Sequence, residues 1–483
     1  MQPNCKDVSI VSTRRMVKMR YLRSVLLFIM LITTTATRAD DTISLQQIYD
    51  INLTVLEIET VNGEMPVYDE VSPPPGAMGY GIKNATKVPA RMKLLKGKEL
   101  LFDSGDYQAD ASGITLKIRG NTTARARKKP YKIKLQKKAD LLLRGDDEKY
   151  GDKNWVLLRD ESLSAKTGFK LNELAGMQWT PAYQYVNLIL NGEYQGLYIL
   201  CESVKRNKSC RLDVDKSGYI FEYDAYWWNE DIYVECTREG ISMHYTFKYP
   251  DAKEITAEQL DYFTRMIRQA ENSMKDGTYA DFIDVNSFVT WILLNDILGS
   301  KDAAGANYYL TKYDQTEESK IAFALLWDFD MIFLDEEEWS TAHRGGWYFY
   351  TYLFDDEAFV KAYIAKWNEL SPTIFDQLFS YLEDYAASDE APAFDQSVEL
   401  DNQLWDENRR TASDRTSGII SWLTRRKAWM NQAIEAMSAT VSGIHSVIAP
   451  SHVDDTIYNL QGQRVARPQK GIYLRNGKKY IGK

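Results

Sequence analysis

At 483 residues and 44% hydrophobic, the chain has ample apolar material for a large core, either as two to three domains or as one large α/β unit. A formal net charge of −9 argues against a general nucleic-acid binder, which carries a basic footprint. The 31 Tyr and 12 Trp exclude a disordered chain, which is poor in aromatics.

Residues 1–39 read as an export signal preceded by extra residues. Met19, Arg20 and Arg23 form a basic flank, Val25 to Ile32 is an unbroken apolar run, and Thr37-Arg38-Ala39 offers a small-residue cleavage site. Met16 or Met19 is then the expected start. The run is short for a bilayer span, and no later segment is long and apolar enough to cross one. No Cys follows the run to carry a lipid anchor. Cys201, Cys210 and Cys236 would remain, an odd number compatible with one disulfide plus a thiol or with three thiols. Their spacing fits no zinc pattern.

Residues 53–61 alternate as a strand, and S-P-P-P-G at 72–76 breaks the chain. Further strands are predicted at 114–119, 130–135, 155–158, 186–190 and 196–201, the last two joined by a tight Asn191-Gly192 turn. Residues 256–275 and 284–298 have helical spacing. Y-Y-L-T-K-Y and A-F-A-L-L-W-D-F-D predict two strands joined by a polar turn at 314–320. Residues 356–440 are helical almost throughout, and short strands with Gly turns return at 457–483.

Four stretches can carry chemistry. On a strand, Asp328 and Asp330 of W-D-F-D would face one side, roughly 7 Å apart. Two buried anions are costly unless a hard cation such as Mg²⁺ joins them; exposure at a strand end, or pairing with basic neighbours, would equally resolve the cost. Asp302 and Asn307 have the D-x4-N spacing of a kinase catalytic loop, where Asp accepts the hydroxyl proton and Asn holds a metal. That spacing is common by chance; a carboxylate-bearing hairpin after it makes it more specific. R-G-N-T-T (119–123), beginning with Arg119, is a donor-rich turn after a strand that can cover phosphates, or is a plain hairpin turn. Beyond it lie Lys128, Lys129, Lys132 and Lys134; Lys132 and Lys134 share one strand face, as a phosphate contact or as a solvated basic face. L-C-E-S-V (200–204) can act as a hinge toward adenine, with Glu202 beside the ribose.

In this order the motifs resemble the CotH kinase family of atypical, spore-coat-type protein kinases. The matching stretches are I-R-G-N-T-T (118–123), K-K-P-Y-K-I-K-L (128–135), K-N-W-V-L-L (153–158), N-G-E-Y-Q-G-L-Y-I-L-C-E-S-V (191–204), D-A-A-G-A-N-Y-Y-L (302–310) and W-D-F-D (327–330). The resemblance covers roughly 50–440. It implies an α+β, protein-kinase-like two-lobe fold over 40–440 and Mg-ATP-dependent phosphorylation of protein Ser or Thr. It implies Asp302 as catalytic base, Asn307, Asp328 and Asp330 on the metal side, and Lys132 or Lys134 on phosphate. Where family members often have a basic-Asn-Lys helix start, this chain has L-S-A-K-T (163–167), leaving Lys166 for a phosphate contact. M-I-F-L-D-E-E-E follows W-D-F-D in place of the family's frequent Gly. The tail, 441–483, resembles C-terminal tails of exported Bacteroidetes proteins, a sorting or surface-attachment element.

Two other readings compete. One is a surface adhesion protein that keeps the fold without catalysis and binds glycan or peptide through the aromatic run 339–352. Core packing is the simpler account of that run. The other is a glycosidase with paired carboxylates, which no flanking motif supports.

Overall fold

The computed structural model describes residues 43–75, 77, 81–159, 162–238, 241–303, 307–344, 350–406 and 411–441, with short stretches at 457–458, 465, 471–475 and 478–482. The export signal expected at 1–39 therefore lies outside the described residues. No helix among those described is long and apolar enough to cross a membrane.

The N-terminal half is mostly strand. β1 (Thr54–Thr60) precedes a two-residue ladder of β2 (Asp69–Glu70) and β3 (Ile82–Lys83). Then come β4 (Val88–Lys96), β5 (Glu99–Asp103), β6 (Ile114–Ile118), β7 (Tyr131–Ala139), β8 (Asp152–Leu158), β9 (Tyr183–Leu190) and β10 (Glu193–Glu202). In space the order is β1-β9-β10-β8-β7-β6-β4, and β1 pairs with β4 to close a seven-stranded barrel from which β5 projects. Contacts are antiparallel except β1 with β9. Asn191 and Gly192, both at positive φ, make the predicted β9–β10 turn.

Strand alternation fills the barrel. Leu56, Met92, Leu116, Ile133, Trp155 and Leu188 point inward and are buried. On β7 the inward set is Tyr131, Ile133 and Leu135, so Lys132 and Lys134 point outward. A buried ion pair fastens the barrel to the helical half: Lys128 Nζ sits 2.6 Å from Asp401 Oδ1, which also accepts from the Leu197 N–H at 2.9 Å.

A second sheet has the order β12 (Tyr233–Arg238), β13 (Ile241–Tyr249), β11 (Tyr219–Tyr223), β14 (Tyr309–Lys312), β15 (Ile321–Leu325). Helix α1 (Ser164–Leu174) lies between β8 and β9 in sequence. Helices α2 (Ala257–Asp276) and α3 (Val285–Leu298) precede β14. Thr256 and Gln259 form a capping box on α2, satisfying two otherwise orphan N–H groups. Every residue of α3 from Phe288 to Leu298 is buried, as expected of a helix apolar on all sides. The chain ends in α4 (Glu357–Leu370), α5 (Ile374–Ala386), α6 (Ala391–Trp405) and α7 (Ala412–Val441), then a three-stranded sheet of β16 (Ile457–Tyr458), β17 (Gly471–Arg475) and β18 (Lys478–Gly482). The fold is thus mixed α+β, with a β-rich N-terminal half and a helical C-terminal half. Cys201, Cys210 and Cys236 are free thiols.

The aromatic run at 339–352 is core where it is described. Trp339 stacks on His343 at 4.2 Å, and Trp339 and Tyr352 pack against the main hydrophobic cluster. Residues 345–349 of that run lie outside the described residues.

Candidate active site

The expectation of a buried strand carrying Asp328 and Asp330 needs correction. β15 ends at Leu325, and two side chains take over the backbone groups that the ladder would have used. Trp291 Nε1 of α3 donates to the Leu325 carbonyl at 3.2 Å, and Asn172 Oδ1 of α1 accepts from the Leu326 N–H at 2.7 Å. Released from the ladder, the chain curls, with Asp328 at φ 65°. Trp327 and Phe329 turn into the core, at 8% and 7% exposure, while Asp328 and Asp330 face solvent. Phe329 wedges against α1: its ring meets Phe169 edge-on at 5.1 Å, and a Cβ on Gly168 would lie 2.1 Å from it.

Asp302 comes from the loop after α3, which Gly299 ends in the left-handed conformation. Asp302, Asp328 and Asp330 each present a carboxylate oxygen within 4.8 Å of the others. Partial desolvation by its surroundings, then the charge of Asp330, push the carboxyl of the solvent-exposed Asp302 above its usual range. Asn307, at φ 61°, opposes that shift by donating from Nδ2 to Asp302 Oδ2 at 2.9 Å. Three crowded oxygen donors fit a hard divalent cation such as Mg²⁺, which would relieve the repulsion that lifts Asp302.

The loop after W-D-F-D is tied down. Arg426, fully buried, donates to the carbonyls of Asp296, Glu336 and Glu338. Lys301 pairs with Asp335 and Glu338 at 2.7 and 2.8 Å. The acidic D-E-E-E that departs from the family pattern therefore serves as an anchor next to Asp302.

Lining the same cavity, of about 1240 Å³, is a group of cations, Lys117, Arg119, Lys132 and Lys248, together with further acids such as Glu222 and Asp224. Lys117 and Lys132 are direct cross-strand partners on β6 and β7, a like-charge pairing that costs stability. Burial first, then Lys205, Lys117, Lys248 and Arg119, push the Lys132 amine down to about 7. Lys248 is held by Glu222 at 2.5 Å. The 119–123 turn covers this end: Gly120 sits at φ 81°, a Cβ there would meet Thr123 Oγ1 at 2.1 Å, and Asn84 Nδ2 holds the Gly120 carbonyl at 2.5 Å. Only glycine serves at that position.

Asp302, Asn307, Asp328, Asp330, Arg119 and Lys132 thus line one cavity. Three other candidates do not. Lys134 is exposed two residues beyond Lys132, because the strand carries it past the rim. Glu202 is buried, with Oε1 on Arg144 Nη2 at 2.9 Å and Oε2 accepting from the Ala182 N–H at 3.0 Å, so no acceptor is turned to a ribose. Lys166 projects from the opposite side of α1 among tyrosines. Sequence reasoning missed Lys117 and Lys248. Alternation in I-T-L-K-I-R puts Lys117 on the Arg119 face and was a usable signal. Lys248 arrives from the second sheet, and no local pattern marks it.

No curated protein matches the chain. Residues 116–430, well over half the chain and spanning every element of the cavity from Lys117 onward, match the family described as CotH kinase protein. The chain belongs to the CotH kinase family.

Proposed function

We propose that the protein is an exported atypical protein kinase that transfers the γ-phosphate of Mg-ATP to Ser or Thr of a protein substrate. One observation carries the reading: an all-oxygen acidic cluster and a partly buried cation cluster line a single cavity of about 1240 Å³, roomy enough for a nucleotide. Asp328 and Asp330, with the Asn307 amide close by, would hold Mg²⁺, which when bound supplies charge neutralisation to the phosphates. Lys132, Arg119 and Lys117 would bind the phosphate oxygens. Asp302, oriented by the Asn307 amide beside the metal-side acids, would accept the proton of the substrate hydroxyl. The β-rich and helical halves would then act as the two lobes of a kinase-like fold. Export rests on the basic flank, apolar run and cleavage site at 19–39.

The test is calorimetry of Mg-ATP with the wild type, Asp302→Ala and Asp328→Ala, alongside transfer of label from [γ-³²P]ATP to a Ser/Thr-rich protein. Asp328→Ala is expected to lose Mg-dependent binding. Asp302→Ala is expected to bind and fail to transfer. A folded wild type that binds no Mg-ATP would overturn the reading.

A further inference from the structure

A second cavity, of about 610 Å³, lies across α1 from the first, with Phe169 in the wall of both. At its base is Lys166, only 8% exposed. Its Nζ lies 3.7 Å from the ring centre of Tyr385, 5.5 Å from Tyr381, and 5.7 Å from both Tyr183 and Tyr185. It makes no hydrogen bond or ion pair with any described residue. Aromatic faces offset only part of the cost of burying an ammonium, so a buried Lys normally finds an acceptor. Elsewhere in the wall Lys170 gives one of its protons to Glu173 at 2.9 Å and keeps the others, Lys96 donates to the Asn52 carbonyl at 2.8 Å, and Glu390 lies beside Tyr385.

We propose that this cavity is a second anion site that takes a small phosphate-bearing molecule, its phosphate on Lys166 Nζ and its remainder against the tyrosine faces. Three lysines against two glutamates in the lining favour an anion. The donors come from several directions. Lys170 lies one turn along α1 from Lys166, and Thr180, whose Oγ1 accepts from Asn172 Nδ2 at 2.7 Å, keeps its own hydroxyl proton to donate. A phosphate with three acceptor oxygens suits such a set better than a flat carboxylate with two. The site stands whether or not the first cavity takes a nucleotide.

The experiment uses the full chain with inorganic phosphate as the probe. Equilibrium dialysis with ³²P-phosphate is expected to show one site fewer in Lys166→Met than in the wild type, while Lys132→Met keeps the Lys166 site, each variant first checked for folding by circular dichroism. A measurement that needs no variant accompanies it: acetylation of Lys166 by acetic anhydride, read by mass spectrometry, should slow at least fivefold with saturating phosphate. Acetate at the same concentration should leave it unchanged. Lys166 acetylation indifferent to phosphate, or wild-type stoichiometry retained by folded Lys166→Met, overturns the site. Equal protection by acetate overturns the assignment to phosphate.

Discussion

Lys132→Met separates the cost of the cation cluster from its use. Lys132 titrates near 7 in the folded chain, against an ordinary value of 10.5. Well below pH 7 both folded and unfolded chains hold the proton, and the folded state carries the full penalty of a crowded, desolvated ammonium. At about 1.4 kcal/mol per pKa unit this is on the order of 4–5 kcal/mol. Between pH 7 and 10.5 the unfolded chain binds more protons than the folded one, so stability rises with pH and the penalty fades. Above 10.5 it is gone. Replacing Lys132 by Met should therefore stabilise the ligand-free protein by a few kcal/mol at pH 6, and this gain should shrink by about 2–3 kcal/mol by pH 9. Urea unfolding at both pH values reads it out. The same variant should bind Mg-ATP at least tenfold more weakly at pH 7, because an entering phosphate is what the ammonium serves. A variant that is destabilised, or stabilised equally at pH 6 and pH 9, would refute the account of Lys132.

Other outcomes follow from the geometry. Asp330→Asn should bring the Asp302 carboxyl down, since Asp330 is the like charge raising it; ¹³C NMR titration of the Asp302 side chain measures the shift, and no downward movement contradicts the crowding argument. Gly168→Ala inserts a methyl 2.1 Å from the Phe329 ring and should cost about 1–3 kcal/mol in urea melts while weakening Mg-dependent nucleotide binding. Asp401→Ala leaves buried Lys128 without its carboxylate and should cost about 3–5 kcal/mol, with much of that recovered in Lys128→Met/Asp401→Leu.

The elements with strong local patterns were legible in the sequence. The helices at 256–275 and 284–298 match α2 and α3 within a residue or two, and the Asn-Gly hairpin falls where its φ preference puts it. Strands β4 and β5 and the sheet strands β11 to β13 were not singled out, and with them went the closure of the barrel and the second sheet. For the site, D-x4-N and W-D-F-D pointed to acids that the fold gathers in one cavity but to the wrong backbone, because a ladder stops where neighbouring side chains claim its hydrogen bonds, here Asn172 and Trp291, both distant in sequence from W-D-F-D.

Sequence alone determined which residue types are available, the alternation that turns Lys132 outward, and membership of the family, since these depend on local spacing and on motif order. Tertiary structure decided which charges meet. Lys132, from its strand face, and Lys166, from the family's helix start, were both candidates for a phosphate contact, yet α1 turns Lys166 into a tyrosine cage, and the pairing of β6 with β7 sets Lys132 against Lys117. Charge interactions depend on distance and desolvation, and for Asp302, Asp328 and Lys132 both are set by contacts between segments far apart along the chain.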